Sequence, residues 1–206
     1  MIIFDNFFDN PDPIRQLALS CQFNKDGGNT SVPGRRSDHL KYIDLNIYNS
    51  FQNRLLDIIF GQGEYSVTLD VRFALVPEHY EEGWVHTDSS NEHDPVTMAG
   101  LVYLTPNAPL NAGTSIYKQK DNITPIDYNS LKHDFYADKL QVSMDEYRTA
   151  RDTHNSWFDK TVDVSNIYNR MIVYNSRQLH RENKFFGTTK ENTRLTLLFF
   201  GNIQKL

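Results

Sequence analysis

Tyr65-Ser66-Val67-Thr68-Leu69-Asp70-Val71-Arg72-Phe73-Ala74-Leu75-Val76 places Val67, Leu69, Val71, Phe73 and Leu75 at every second position. A strand turns alternate side chains to one face, so the run reads as a long half-buried β-strand. Further β-rich runs are Gly83 to Thr87, Val96 to Leu104, Thr114 to Tyr117, Arg170 to Asn175 and Arg194 to Gly201, separated by turn clusters such as Thr105-Pro106-Asn107. Repeated short strands without intervening helices point to a sandwich or open barrel.

Before this β region, Ile2 to Phe8 is a short β-rich run ending at Asn10-Pro11-Asp12-Pro13, where Asn10 or Asp12 can cap a helix from about Pro13 to Cys21. Gly27-Gly28 and Pro33-Gly34 mark Asn24 to Asp38 as an exposed loop. A second helix, Leu45 to Phe60, carries Ile47, Phe51, Leu55 and Ile58 on one face and stops at Gly61. The β pattern is interrupted at Asp127 to Trp157, whose part from Met144 onward reads as a helix capped by Ser143, with Glu146 three residues on. This segment is the expected insertion or lid.

The chain has 206 residues, which argues for one domain, 1–206, containing that insertion. The 26 acidic residues outnumber the 21 basic ones, giving a net charge of −5. That balance argues against a general nucleic-acid surface. Cys21 is the only cysteine, so neither an intramolecular disulfide nor a cysteine-ligated zinc cluster can form. Without a long apolar run or a basic leader, the expectation is a cytoplasmic protein with no membrane partner.

His86 and Asp88 stand two apart, and on an extended segment both face the same way. His180 follows the run ending at Asn175. Two histidines and one carboxylate on a β-scaffold match the facial triad of non-haem Fe(II) oxygenases, which leaves coordination positions open. Arg194 and Thr196 share one face of an otherwise apolar strand. A buried guanidinium needs an anion, and a dicarboxylate cosubstrate held bidentately provides one. The other reading of Arg194 is a surface residue paired with Glu191 or Glu182.

In this order the residues resemble the 2-oxoglutarate- and Fe(II)-dependent dioxygenases, on the branch of the prolyl 4-hydroxylases and related bacterial and phage oxygenases. The pattern is His-X-Asp, a distal His, and an Arg fourteen residues later, here His86, Asp88, His180 and Arg194. Arg194 and Thr196 match the family's Arg-X-Ser/Thr, Tyr103-Leu104 resembles its strand tyrosine, and Gly113-Thr114-Ser115-Ile116-Tyr117 resembles its glycine-led strand. The resemblance implies a double-stranded β-helix core, jelly-roll and cupin-like. It implies iron on His86, Asp88 and His180, and 2-oxoglutarate on Arg194 with Tyr103 and Thr196. It further implies dioxygen as oxidant, with ascorbate open as a reductant, and succinate and CO2 as products of a hydroxylation. Asp88 stands where related halogenases carry a small residue, which argues for hydroxylation over halogenation. Val76 stands ten residues before His86, where prolyl hydroxylases often carry tyrosine, so peptidyl proline is not implied as substrate. The substrate stays open between small molecule and peptide, and the oligomeric state is not readable.

Two other functions fit parts of the pattern: a non-catalytic cupin-like metal- or anion-binding module, and a nucleobase-demethylating oxygenase, which the acidic balance disfavours. Tyr103 and Thr196 also read as core residues. Trp84 either walls the site or packs in the core. His79, His93, His133 and His154 read as loop or surface residues, and Arg148 to Arg151 as an exposed helix face. Arg35 and Arg36 read as solvated loop residues, the alternative being an entrance for an anionic substrate.

Overall fold

The computed structural model describes residues 1–24, 32–89, 96–124, 126–137 and 142–206. His93 and the 25–31 part of the expected loop lie outside the described residues, as do 138–141 of the insertion. Two antiparallel sheets face each other. The larger runs in the order β1 (Ile2–Phe4), β7 (Met171–Asn175), β4 (Met98–Tyr103), β9 (Arg194–Lys205), β3 (Tyr65–Val76), β2 (Arg35–His39). The smaller is β6 (Phe158–Val164), β5 (Thr114–Gln119), β8 (His180–Glu182).

The alternating run Tyr65 to Val76 is one strand as read, and all of β3 pairs with β9, from Tyr65 opposite Lys205 to Val76 opposite Arg194. Alternation along β9 then sorts its side chains. Leu195, Leu197 and Phe199 enter the main core with Phe51, Phe73 and Val102, while Arg194, Thr196, Leu198 and Phe200 face a cavity between the sheets. β9 runs four residues past its expected end at Gly201, because β3 offers backbone partners as far as Tyr65. In the middle of the sheet, Gly100 on β4 is pressed between β7 and β9. A Cβ there would come within 2.4 Å of both the Ile172 carbonyl and the Phe199 ring.

Two helices cover the outer face of this sheet: α1 (Asp12–Ser20) and α3 (Leu45–Ile59). α3 is capped by Asp44, whose Oδ1 accepts from the N–H of Asn46 at 2.9 Å and of Ile47 at 3.0 Å. It buries Tyr48, Phe51 and Leu55 and ends before Gly61, which has φ +71°. α1 has no side-chain cap, since Pro11 stands at the capping position; Asn10 Oδ1, one residue earlier, accepts from Asp12 N at 3.3 Å. A short α2 (Leu40–Ile43) joins β2 to α3.

Three expectations are corrected. The last part of the expected loop is β2, a charged edge strand, with Arg36 also bridging Asn24. Gly83 to Thr87 is not a ladder strand. It advances three residues from Gly83 to His86 while β8 retreats two, from Glu182 to His180, so regular pairing cannot continue. β6 replaces a segment not read as a strand, because five of its seven side chains are solvent-exposed and no apolar alternation marks it. The insertion is helical: α4 (Asn129–Tyr136) and α5 (Met144–Asn155), the latter capped by Ser143 Oγ accepting from Glu146 N at 3.1 Å. No helix among the described residues is long and apolar enough to cross a membrane.

Candidate functional site

The arm Gly83 to Asp88 has β8 along one edge and lacks a strand on the other. Side chains from the end of α5 fill that place. Asn155 accepts from Val85 N at 2.9 Å and donates to Gly83 O at 3.1 Å, and His154 Nε2 donates to Val85 O at 2.8 Å. Trp84 Nε1 donates to the Tyr147 hydroxyl at 3.0 Å. α5 is held in turn by Arg148 and Arg151, which both pair with Glu81. Arg151 is 5% exposed, which corrects its reading as part of an exposed face. His154 is likewise no surface residue: it packs between Trp84 and Trp157.

On its other edge the arm meets β8 through a reciprocal pair of backbone bonds, His86 N to His180 O and His180 N to His86 O, each 2.9 Å. This exchange brings the imidazoles together, with ring centroids 4.3 Å apart. Asp88 joins them because its N–H, at 2.8 Å from Ser176 O, anchors it to the turn that leads into β8. His86 Nε2 lies 3.8 Å from Asp88 Oδ1, and His180 Nε2 lies 3.4 Å from Asp88 Oδ2. One ligand atom from each residue falls within 4.8 Å of the others.

Each histidine gives its Nδ1 proton to the carbonyl two residues back, His86 to Trp84 at 2.8 Å and His180 to Gln178 at 2.9 Å. A carbonyl can only accept, so the Nε2 lone pairs are left free toward the centre. Burial and the neighbouring His180 push the His86 pKa down to about 3, which keeps that imidazole neutral. Burial raises the Asp88 carboxyl, and its Oδ2 is buried with no hydrogen-bond partner. Such a donor set suits a divalent metal ion, which would satisfy the orphaned oxygen.

The cavity holds about 560 Å³ and runs from this triad to β9. There Arg194, 2% exposed, lies over the rings of Tyr103 at 5.6 Å and Phe185 at 5.8 Å. Its Nε and Nη2 have no hydrogen-bond partner, and neither has the buried Thr196 Oγ1. Buried donors in this state are costly unless an anion meets them. Arg194 is therefore not a surface residue paired with Glu191 or Glu182. Tyr103 stands opposite Thr196 in the ladder and donates to Thr114 Oγ1 at 2.9 Å. Burial raises its pKa and keeps the phenol protonated. Thr114, not Tyr103, borders the cavity.

His86, Asp88, His180, Arg194 and Thr196 thus gather around one cavity, with Tyr103 one layer behind. Trp84 does both things read for it: it borders the cavity and packs with Tyr80 and Phe185. Arg36 is not a solvated loop residue. It borders the cavity with its guanidinium 5.6 Å over the Phe200 ring. Sequence reasoning missed Thr114, Lys132 and Glu182, which also border it. Glu182 carried a usable signal, since it stands two residues beyond His180 on one strand. Gly83 makes room for it, because a Cβ there would lie 2.4 Å from Glu182 Oε2.

A protein-family model described as a family of unknown function (DUF6445) matches residues 1–200. The chain belongs to that family. No curated protein matches the sequence. Among solved structures, HygX from Streptomyces hygroscopicus with nickel and 2-oxoglutarate bound is 13% identical, with a TM-score of 0.57 over 98% of this chain and 82% of that one. A prolyl hydroxylase from Trichoplax adhaerens, in complex with a hypoxia-inducible-factor peptide, is 14% identical with a TM-score of 0.53 over the same shares. The non-haem alpha-ketoglutarate-dependent epimerase SnoN is 11% identical, with a TM-score of 0.52 over 99% of this chain and 77% of that one. This DUF6445 chain therefore has the double-stranded β-helix fold of the 2-oxoglutarate and Fe(II) oxygenases, prolyl hydroxylases among them, as its sequence resemblance implies.

Proposed function

We propose that the protein is an Fe(II)- and 2-oxoglutarate-dependent oxygenase that hydroxylates its substrate. One observation carries the reading: a single cavity has an orphaned carboxylate oxygen beside two histidines at one end and orphaned guanidinium and hydroxyl groups at the other. A metal fits the first set and a carboxylate the second. The solved relatives with nickel and 2-oxoglutarate, or with iron, bound support the same pairing. Fe(II) and 2-oxoglutarate, when bound with dioxygen, supply the oxidising chemistry, with succinate and CO2 released and a hydroxyl left on the substrate.

His86, Asp88 and His180 would hold the metal, and their fixed tautomers present lone pairs without prior proton loss. Arg194 and Thr196 would hold the distal carboxylate, with Tyr103 and Thr114 packed behind it. The rings of Tyr103 and Phe185 keep water from the guanidinium, which strengthens its hold on an anion. The chain supplies position and dryness, not a general acid or base.

Anaerobic addition of Fe(II) and then 2-oxoglutarate to the metal-free protein tests this. The expected result is a visible charge-transfer band in the wild type. In Arg194→Ala the same band should require at least about tenfold more 2-oxoglutarate, a loss of about 1.4 kcal/mol or more. A metallated wild type without the band would overturn the proposal in favour of a binding module.

A further inference from the structure

Resting on the oxygenase reading, we propose that the substrate is a small zwitterion, held between Lys132 and Glu182. It carries a carboxylate and an ammonium on one molecule, as a free amino acid does. Lys132 lies on α4 and Glu182 on β8, and both border the main cavity. The Lys132 ammonium has no ion pair or hydrogen bond to a described residue and sits 5.9 Å from the centre of the Tyr136 ring. The Glu182 carboxylate has no ion pair either, and its only hydrogen bond among the described residues is from its own backbone N–H.

The two charges act on each other across the cavity but are too far apart to form an ion pair. Glu182 also acts on Tyr136 and Tyr147 of the insertion, and on His86 and His180 of the triad. Its carboxylate therefore stands where both the metal site and the insertion feel it. Two groups of opposite sign face one confined space, each without the partner that the other would make.

An anion alone would meet Lys132 and be opposed by Glu182, and a cation alone would meet Glu182 and be opposed by Lys132. A neutral molecule leaves both groups unmatched. A zwitterion gives its carboxylate to Lys132 and its ammonium to Glu182 in one placement, through hydrogen bonds charged on both sides. It brings no net charge, so the match holds however the other charged groups around the cavity are balanced. Trp84, Phe158, Leu198 and Phe200 offer apolar wall to the rest of the molecule, and the cavity's volume is in the range of small-molecule sites.

The test loads the protein with nickel, which binds the same donor types, and with saturating 2-oxoglutarate. Thermal shift is then read against free α-, β- and γ-amino acids, their N-acetyl and carboxamide derivatives, and the matching simple amines and carboxylic acids. Stabilising compounds are titrated by calorimetry into wild type, Lys132→Met and Glu182→Gln. The expected result is that the wild type binds a free amino acid at least about tenfold more tightly than its N-acetyl or carboxamide derivative. Lys132→Met should lose the preference over the carboxamide and keep that over the N-acetyl form, and Glu182→Gln should do the opposite. A merely structural role for either side chain would weaken all the compounds alike. Equal wild-type binding of either derivative, absence of any bound amino acid, or parallel losses in the two variants would overturn the proposal. Uptake of nickel and 2-oxoglutarate shows that a variant is folded, and where one is not, the wild-type series alone decides. Failure of the wild type to take up nickel and 2-oxoglutarate refutes the oxygenase reading instead.

Discussion

Glu182 brings a carboxylate to the wall of the cavity. It interacts with His86, Arg194 and His180, and so opposes a dianion arriving at Arg194. Glu182→Gln keeps the shape and removes the charge, so 2-oxoglutarate should bind roughly tenfold more tightly, measured by the anaerobic titration. Unchanged affinity would mean that the carboxylate is already neutralised. The difference between His180 and Glu182 also marks what a sequence discloses about single residues. His86, Asp88, His180 and Arg194 are legible because rare chemical types recur at set intervals. Thr114 and Lys132 carry no such mark, and Glu182 only its spacing of two from His180; their place at the cavity is a property of the folded chain.

At the scale of elements, the helical insertion does more than cover the cavity. Asn155 stands in for a missing strand beside Gly83 and Val85, and the carbonyl between them, that of Trp84, orients His86. Asn155→Ala should therefore lower metal affinity about tenfold to a hundredfold, the range seen when groups supporting metal ligands are removed. Calorimetry with nickel checks it, and wild-type affinity would show that the arm holds itself. A second expectation concerns acid. The Arg148 hydrogen bond, aided by Arg151, holds the Glu81 carboxyl below the usual glutamate range. A group lowered in the folded state adds stability above its free value and loses it as pH falls through the lowered one. Urea midpoints should fall on acidification below the usual glutamate range, and fall less in Glu81→Gln. The helix of α5 was legible from its Ser143 cap. Its bracing role was not, because Asn155 and Val85 are 70 residues apart in sequence.

For the molecule as a whole, β9 is the wall between stability and binding. Leu197→Ala removes a fully buried side chain from the core beneath the helices. It should lower unfolding free energy by about 2–5 kcal/mol and leave 2-oxoglutarate affinity unchanged. Thr196→Val, one residue away on the opposite face, should do the reverse: several-fold weaker 2-oxoglutarate binding with little loss of stability. Urea denaturation and the anaerobic titration separate the two, and a shared effect would show that the faces are not independent. That two-faced strand was readable from its pattern, as was β3. The strand order was not, because pairings such as β1 with β7 join segments about 170 residues apart, and alternation says nothing of which strand lies beside which.

The insertion places Lys132 at the cavity on one helix and Asn155 beside the arm that carries His86 and Asp88 on the next. The wall of the cavity and the bracing of the arm are therefore inherited together. Exchanging the whole segment for one from another protein would disturb the arm that carries His86 and Asp88 along with the cavity wall. The eight residues of α4 can vary the cavity wall without touching the arm, while the end of α5 is tied to it through Asn155.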